Sequence, residues 1–413
     1  MKSFVITLAF LLLTGSCEKK KGVLDYDVPE DIEARTYPIS QVNVEKSLLY
    51  SDLYSNVDYI QLETTEQSLV GEVSKLEITD DGDLIVLDRA RGSVLRFDGR
   101  GKYMCHIGRR GNGNGEYCLP MDMVYDKYHN CVIVLDVSYS RLLSYDLNGQ
   151  ILSSTQLGYL PLSLTVLDEN HLCLYMNHFE DLSNRSVGNN FKIIDRKGRL
   201  VSEFMEYDET KGNFHPMCDN VFFSMGDNIC FKQPYSSIIY SISNKNASTP
   251  TITPELYFDF GKSKIPEEWF QGDFDTFIKR LSEQSGIMYL ISAYKMTNHF
   301  VLNIAKNRQI CLYIMNIKDR SLDKAGGHAN NDMFGFVSSV CLSTIKDKNC
   351  YFVIDSSDFD FYKENIDKTG FEFYTVDIIN KPKEYFPSRR ERELLSSINE
   401  GDNPIIQVCT LKD

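Results

Sequence analysis

The sequence predicts an all-β fold, a six-bladed β-propeller of four-stranded antiparallel blades with short helical inserts. Three observations predict it. A pattern of apolar runs and turns recurs with a period near 48 residues, which is the spacing of propeller blades. Each copy holds several short strand-like runs, and a small sheet of this kind buries both faces only when neighbouring sheets cover them. The 413 residues include 24 Tyr and 24 Phe but a single Trp, which suits wedge-shaped blade interfaces and disfavours WD-type repeats.

The first residues of the chain, "MKSFVITLAFLLLTGSC", are typical of a secretory signal. Lys2 precedes the apolar run Phe4–Leu13, which is too short to cross a bilayer as a stop-transfer helix. Small residues then lead to Cys17. This pattern predicts a lipoprotein signal peptide at residues 1–16 and acylation of Cys17, although Leu stands four residues before the cysteine rather than three. An ordinary secretory peptide is the alternative.

The lipid on Cys17 would attach the protein to a membrane of the cell envelope, on the periplasmic side or at the outer membrane. Residues 17–45 are mostly polar and are expected to form a tether. Residues 46–413 are expected to form the propeller, with helical inserts at about 263–286 and 356–403.

The repeat is clearest in two copies that begin at Gly82 and Asn130. Each reads as an apolar run ending in Asp, a short loop, an alternating run ending in an aromatic residue and Asp, and a tight turn with Gly. The matching residues of the two copies lie 48 positions apart: Asp88 and Asp136, Asp98 and Asp146, Gly101 and Gly149. In a third copy, Asp195 and Gly198 stand at the positions that Asp146 and Gly149 occupy in the second. Three weaker copies follow. Glycine in these turns permits the positive φ that tight hairpins require.

The stretch "GRRGNGNGEY", residues 108–117, has the glycine density of a phosphate-binding loop. A dinucleotide loop needs a helix after it, because the helix N-terminus holds the pyrophosphate. A P-loop needs Gly-Lys-Ser/Thr. Here no Lys follows the glycines, and Pro120 leads into a β-branched run. The stretch is therefore expected to be a turn that binds no nucleotide.

The segment "IGRRGNGNGEYCLPMDMVYD…NCVIVLDVSYSRLLSYDLNG" resembles one repeat of the NHL type. Together with "YIQLETTEQSLVGEVSKLEI" and the lipoprotein start, the chain resembles the six-bladed β-propeller lipoproteins common in Gram-negative gut bacteria. The resemblance is strong from about Val57 to Gly158 and rests on strand pattern alone over blades three to five. It implies fold and envelope location but no reaction. It also implies that the glycine stretch connects the outer strand of one blade to the inner strand of the next.

In propellers of this type, the connections between blades and those between second and third strands open on one face, where ligands usually bind. The residues expected on that face are Arg89, Arg91, Arg109, Arg110, Glu116, Tyr139, His178, His215, Lys306 and His328. For any single one of them, the alternative is an ordinary solvated loop residue. The arginines are the most suggestive, because guanidinium groups suit carboxylates and sugar acids. A glycan or a peptide is the expected ligand.

Two segments interrupt the repeat. Residues 263–286 carry aromatic and aliphatic residues at helical spacing from Phe270 onward, which predicts an amphipathic helix packed on a blade. Residues 356–403 contain "PSRRERELLSSI", a second helix with Ser388 as its possible N-cap. The stretch "DSSDFDF" suggests calcium, but it lacks the Gly and the distal Glu of an EF-hand loop. No cofactor or metal is therefore expected, and calcium remains the alternative.

Composition bears on the class of function. The formal net charge of −14 disfavours a nucleic-acid partner, since that affinity rests on basic contacts to phosphate. The cysteines form no CxxC pair and no zinc pattern, and most lie in strand-like runs, so free buried thiols are expected. The sequence favours a non-enzymatic binding or scaffold module. The alternative is a metal-dependent hydrolase or lyase with its site at the top of the central channel, assembled from separate blades.

Ring closure is predicted from the two ends of the propeller. Blade six is expected to take its inner strands from Phe336–Thr344 and Asn349–Asp355, its third strand from Ile405–Leu411 and its outer strand from Val57–Leu62. The rival for the third place is Phe371–Ile379. Such closure would remove the open sheet edges of the first and last blades.

Overall fold

The computed structural model describes residues 36–39, 48–177, 188–206, 221–225, 228–243, 250–270, 273–295, 298–306, 309–326, 329–330, 342–360, 363 and 389–412. Four elements precede the first blade: β1 (Thr36–Pro38), β2 (Leu48–Leu49), the short helix α1 (Tyr50–Leu53) and β3 (Tyr54–Gln61). All three strands pair with strands that come much later in the chain.

Blades one to three are antiparallel sheets of four consecutive strands each. Blade one consists of β4 (Lys75–Ile78), β5 (Leu84–Asp88), β6 (Ser93–Phe97) and β7 (Tyr103–His106). Blade two consists of β8 (Pro120–Asp126), β9 (Cys131–Asp136), β10 (Arg141–Asp146) and β11 (Ile151–Gln156). Blade three consists of β12 (Ser163–Val166), β13 (His171–Tyr175), β14 (Asn189–Asp195) and β15 (Leu200–Glu206).

Blades four and five follow the same pattern, and blade six takes strands from both ends of the propeller. Blade four consists of β16 (Phe222–Met225), β17 (Asn228–Phe231), β18 (Ile238–Ser243) and β19 (Thr251–Asp259). Blade five consists of β20 (Met288–Lys295), β21 (His299–Lys306), β22 (Gln309–Asn316) and β23 (Leu322–Gly326), and β24 (Ala329–Asn330) follows it. Blade six consists of β25 (Leu342–Lys346), β26 (Asn349–Ile354), β27 (Ile405–Leu411) and β3.

The blades form a ring around a channel. The innermost strand of each blade contacts that of the next from blade one to blade five, and β25 of blade six contacts β4 of blade one. The predicted six-bladed propeller of four-stranded antiparallel blades is confirmed. Because neighbouring strands are antiparallel, the second-to-third connections and the blade-to-blade connections both lie on the side where the innermost strands begin. We call this side the upper face.

The core of the molecule lies between blades rather than within them. Six clusters of buried apolar side chains each join two consecutive blades. Between blades one and two, for example, Ile85 and Leu87 pack with Val132, Val134 and the ring of Tyr145. Each sheet therefore buries both of its faces only because the two neighbouring blades cover them. The stability of each blade thus depends on the complete ring.

The ring closes in blade six as predicted. Strand β27 pairs with β26 on one side, with Cys350 opposite Cys409. It pairs with β3 on the other side, with Val57 opposite Cys409. The innermost strand, predicted at Phe336–Thr344, ends two residues later at Lys346, because the hairpin turn lies at residues 347–348. Residues 336–341 lie outside the described residues. The rival strand at 371–379 lies outside the described residues, and β27 occupies the third place.

The folded part of the chain begins earlier than residue 46. Strand β1 pairs in parallel with β19 and becomes the fifth strand of blade four, with Tyr37 opposite Phe258. The pair Leu48–Leu49 then lies alongside Ala329–Asn330. Residues 36–38 of the expected tether thus belong to the fold, as the edge strand of blade four. The sequence did not indicate these strands, because each is only two or three residues long.

Both inserts carry a helix at the upper face. Helix α2 (Phe274–Glu283) lies in the connection from blade four to blade five, and helix α3 (Arg389–Ser397) lies between β26 and β27. A short 3-10 helix, Glu267–Phe270, precedes α2. Helix α2 begins four residues later than predicted because the Asp273 side chain caps it, accepting from the Thr276 amide at 2.8 Å. The residue proposed to cap α3, Ser388, lies outside the described residues.

The aromatic residues of α2 pack on the fold, as predicted. Phe277 is fully buried and its ring lies 4.8 Å from that of Tyr235 in blade four. Cysteines 105, 118, 131, 173, 230, 311, 350 and 409 are free, and six of these eight are buried, as expected for the described part of the chain. No described helix is long and apolar enough to span a membrane.

Candidate functional site

Seven of the ten residues predicted for the upper face are described, and all seven lie on connections or strand ends of that face. Six belong to blades one and two: Arg89, Arg91, Arg109, Arg110, Glu116 and Tyr139. The seventh, Lys306, ends β21 in blade five, so blade six separates it from blade one. His178, His215 and His328 lie outside the described residues. The structure thus brings together the residues of blades one and two but not Lys306.

The glycine stretch connects β7 to β8 and is organised by its own carboxylate. Glu116 accepts from Arg109 Nε at 2.6 Å and from the Gly113 amide at 2.8 Å. The amide of Gly113 first, and then Arg109, lower the pKa of the Glu116 carboxyl. A Cβ on Gly111 would stand 2.0 Å from Glu116 Oε2, so the absent side chain leaves the space that the carboxylate fills.

These contacts support the prediction that the stretch binds no nucleotide. The backbone amide of Gly113 is already used by an internal carboxylate. The element that follows is strand β8, which begins at Pro120, so the loop does not lead into a helix N-terminus. A phosphate would have to displace Glu116 and would gain no helix dipole.

Tyr139 lies on the turn between β9 and β10, and its side chain contacts the glycine stretch. Its hydroxyl donates to Asn112 Oδ1 at 3.1 Å, and the guanidinium of Arg141 lies 4.8 Å from its ring centroid. Arg141 itself donates to the Glu116 carbonyl at 2.6 Å and pairs with Asp136. Tyr139 remains 46% exposed, so one side of its ring stays available at the surface.

The repeated Asp at the end of each second strand has a structural role. Asp88 and Asp136 are fully buried. Asp88 Oδ2 accepts from the Gly71 amide at 2.6 Å, and Asp136 Oδ1 accepts from the Leu119 amide at 3.0 Å. Each carboxylate thereby fixes the segment that enters the innermost strand of its own blade. These carboxylates are not available to a ligand.

The four arginines predicted for the upper face divide into two pairs. Arg89 donates to the Met121 carbonyl at 2.9 Å, and Arg109 is paired with Glu116. The guanidinium groups of Arg91 and Arg110 are exposed, and neither hydrogen-bonds or forms an ion pair in the described part of the chain. The two arginines lie near each other. Gly92 directly follows Arg91 in the chain, and Arg110 Cδ is 3.4 Å from the position that a Cβ on Gly92 would take. The upper face of blade one therefore carries two arginines without an ion-pair partner in the described part of the chain, in an acidic protein.

A groove of about 290 Å³ lies beside these arginines on blade one. It forms between the connection that enters the blade, the turn after β5 and the outer strand β7. Its lining residues are Glu66, Gln67, Leu69, Arg91, Ser93, Tyr103 and His106. Of these, only Arg91 was predicted to bind a ligand. The others escaped sequence reasoning because ring closure, not local pattern, brings residues 66–69 onto the outer strand.

The top of the channel holds a charged cluster that the sequence did not indicate. Lys75 Nζ lies 2.8 Å from Asp122 Oδ1 and 3.6 Å from Glu77 Oε1. Asp122 also accepts from Ser163 Oγ at 2.6 Å and from the Leu164 amide at 2.8 Å. Burial raises the pKa of Glu77, with Asp122 adding to the effect. The cluster joins the innermost strands of blades one, two and three, and its cation is a lysine.

Metal ligation was the basis of the alternative prediction of a hydrolase or lyase. Among the described residues, no three or more His, Cys, Asp or Glu side chains are grouped so as to hold a metal ion. Three of the seven histidines, His178, His215 and His328, are not among those residues.

Comparisons with known proteins place the chain in a family and a fold. A sequence model of the family described as "Domain of unknown function (DUF4934)" matches residues 35–410. A solved structure from Bacteroides fragilis NCTC 9343 (BF0058), which carries the name of an exported protein, has a TM-score of 0.70 at 16% identity. The alignment covers 92% of this chain and 99% of that one. Likeness at this identity shows the fold alone.

Two further structures are more distant. A member of the DUF4221 family from Bacteroides vulgatus ATCC 8482 has a TM-score of 0.49 at 10% identity, covering 87% of this chain and 97% of that one. A virginiamycin B lyase from Staphylococcus aureus has a TM-score of 0.36 at 11% identity, covering 63% and 82%. No curated protein sequence matches the chain.

Proposed function

The chain belongs to the DUF4934 family, and from that premise we propose that it is a non-enzymatic binding module of the cell envelope. Its ligand is an anionic glycan or peptide, held at the upper face of blade one. The observation that carries this proposal is the pair Arg91 and Arg110. Both arginines are exposed, neither guanidinium hydrogen-bonds or forms an ion pair in the described part of the chain, and Arg91 lines the groove.

The two arginines stand out because their neighbours are already engaged. Arg89, Arg109 and Arg141 each donate to a carbonyl or a carboxylate of the protein. A guanidinium left unpaired beside a groove is suited to a carboxylate, which it can contact through two parallel hydrogen bonds. An acidic protein that keeps two such groups adjacent concentrates attraction for anions at one place.

We also propose that Cys17 is lipidated and holds the propeller at the envelope. The apolar run and small residues before Cys17 support this, and the exported name of the similar B. fragilis protein agrees with a location outside the cytoplasm. Mass spectrometry of the mature N-terminus checks it. A diacylated or triacylated Cys17 is expected, and an unmodified terminus at another residue would contradict the proposal.

A glycan and peptide array tests the binding function directly, using the soluble chain that begins at residue 18. Retention of anionic ligands is expected, and it should weaken as salt rises because the charges are exposed. Arg91→Ala combined with Arg110→Ala should reduce binding about tenfold or more. The melting temperature should hardly change, since exposed charges add little stability.

Arg100→Ala is the matched control. Arg100 is an exposed arginine of the same blade, but it lies on the turn between β6 and β7, at the opposite face. Its replacement removes the same charge and should leave binding unchanged. If the array retains no anionic class, or if the double variant binds as well as the parent, the proposed function is wrong.

A further inference from the structure

We propose that the groove of blade one is a subsite for a single carboxylated sugar residue, a hexuronate. This inference rests on the proposed binding function and names its ligand class. The groove's volume of about 290 Å³ is at the lower end of small-molecule sites, which span about 300–1,000 Å³. The groove therefore has room for one sugar ring but not for several linked sugar residues.

Four polar side chains of the groove differ from those of the adjoining glycine stretch, because they make no polar contact of their own with the described residues. Arg91, Glu66, Gln67 and Ser93 make no side-chain hydrogen bond or ion pair in the described part of the chain. Within the glycine stretch, by contrast, Glu116 accepts from both Arg109 and Gly113. Groups that the protein does not use itself remain available to a ligand.

Arg91 supplies the contact for a carboxylate. The stem of its side chain lies against Gly71, where an added Cβ would be 3.4 Å from Arg91 Cδ. Its backbone amide donates to the side chain of the buried Asp88 at 2.9 Å, and this hydrogen bond fixes the backbone position from which the Arg91 side chain extends. One guanidinium can hold one carboxylate in a bidentate manner.

His106 supplies an acceptor for a hydroxyl group. Its Nε2 lies 2.9 Å from the carbonyl oxygen of Gln67. A carbonyl only accepts, so Nε2 carries the proton, and in the neutral ring Nδ1 is left as an acceptor. The carboxylate of Glu66 and the amide of Gln67 add further acceptors in the same groove. Several acceptors beside a single cation suit a ligand with one negative charge and several hydroxyls.

Tyr103 supplies an aromatic surface. Its ring is partly exposed in the groove and lies edge-to-face with His106, with centroids 5.9 Å apart. Phe97 contacts the same ring, also at 5.9 Å, which holds it against the blade. An aromatic face held in this way can pack against the C–H face of a sugar ring.

The lining disfavours the other anions. A phosphate carries more charge than a carboxylate, and Glu66 in the same groove would repel it more strongly. A peptide would need apolar contacts for its side chains, and Leu69 is the one aliphatic residue of the lining. The combination of a guanidinium, several acceptors and an aromatic ring fits the hexuronate best.

Titration calorimetry of the soluble chain from residue 18 tests the assignment, with the methyl glycoside of glucuronic acid as probe and the methyl glycoside of glucose as its neutral match. Saturable binding of the uronide is expected, with the neutral sugar binding about tenfold or more weakly. Arg91→Ala should remove this preference. Arg100→Ala, with the same charge change on the opposite face, should keep it.

Two variants at Tyr103 separate the contribution of its aromatic ring to binding from the contribution of the Arg91 charge. Tyr103→Leu should weaken both sugars to a similar extent, whereas Tyr103→Phe should bind as the parent does. The melting temperature of each variant shows whether it is folded. Equal binding of the two sugars, or no saturable binding of the uronide to folded protein, overturns the inference. If the array then yields an acidic peptide whose binding needs Arg91, the proposed function survives and only the sugar assignment fails.

Discussion

The three clearest repeats share one residue-level device at the turn between their third and fourth strands. Asp98 Oδ1 accepts from the backbone amides of Arg100 and Lys102, both at 2.9 Å. Asp146 and Asp195 make the same two contacts with the amides two and four residues further on. The glycine of each turn has a φ between 79° and 85°, in the region that only glycine adopts without strain. The Asp and Gly of the repeat therefore act together as one turn.

Gly149 of a repeat turn and Gly111 of the glycine stretch should respond differently to substitution. A Cβ on Gly149 would lie 2.1 Å from the His106 carbonyl oxygen of the neighbouring blade, and Gly149 has a φ of 79°. We expect Gly149→Ala to lower the free energy of unfolding by more than about 2 kcal/mol. Urea denaturation of the soluble chain measures it.

Gly111→Ala is the comparison variant. Its Cβ would meet Glu116 Oε2, the end of a flexible side chain that can turn aside, so we expect a much smaller loss of stability than in Gly149→Ala. Equal destabilisation by the two substitutions would show that the glycine stretch is as tightly packed as the repeat turns.

The contact between Glu116 and the glycine stretch should depend on pH. The Gly113 amide and then Arg109 lower the pKa of the Glu116 carboxyl. A lowered pKa means that the contact is present above the ordinary range near pH 4.3 and is lost as pH falls through the lowered value. A carboxyl ¹³C NMR titration should give a midpoint below that range.

Arg109→Ala should move the Glu116 midpoint upward, because it removes one of the two donors, while Arg100→Ala should leave it in place. A midpoint at the ordinary value in the parent protein would mean that the carboxylate is free in solution.

At the scale of elements, the N-terminal strand β1 is held by side chains as well as by pairing. Tyr37 is buried, and its ring packs edge-on against Phe300 of blade five at 5.5 Å. Its hydroxyl donates to the Ile317 carbonyl at 3.2 Å. Arg320 covers the ring, with its guanidinium 5.7 Å from the centroid. Strand β1 thus joins blade four to blade five on the outside of the ring.

Removing the Tyr37 ring should therefore destabilise the propeller. We expect Tyr37→Ala to cost about 2–4 kcal/mol, as other large-to-small changes at buried aromatic sites do. Pro38→Ala, at the exposed neighbour, should cost far less. Urea denaturation of both variants provides the measurement. A change below about 1 kcal/mol for Tyr37→Ala would place β1 outside the cooperative fold.

At the scale of the whole molecule, stability depends on closure, because each blade is covered only by its neighbours. Strand β27 lies between β26 and β3, and Ile405 and Ile406 in it are buried. Deleting Pro404–Asp413 removes this strand and separates β3 from blade six. We expect the truncated chain to lose stable folding, since the gap exposes the interfaces of blade six with both neighbours.

Deletion of Lys412 and Asp413 alone is the control, because it leaves β27 complete. Size-exclusion chromatography and thermal melting of both truncations provide the readout. If the chain without residues 404–413 stays monomeric and melts cooperatively near the parent temperature, closure through β27 does not hold the ring.

The sequence by itself determined the blade architecture, because the signals that carry it are local. Alternating strands, and turns marked by Asp98 and Gly101 or by Asp146 and Gly149, lie within single repeats of about 48 residues. Even the closing strand could be predicted, since an apolar run at the end of a chain needs a partner. Helix α2 was recognised by its spacing, and only its start was displaced by the cap at Asp273.

The candidate site was decided by the tertiary structure. Sequence reasoning placed the arginines on the upper face, but it could not show that Arg109 forms an ion pair with Glu116 while Arg91 has no such partner among the described residues. Nor could it place Gln67 beside His106, because one lies on the connection into blade one and the other ends the outer strand of that blade, 39 residues later in the chain. Pairing between side chains far apart in the chain leaves no periodic trace in the sequence. Local pattern therefore specified the blades, and packing between blades selected which charged groups remain free for a ligand.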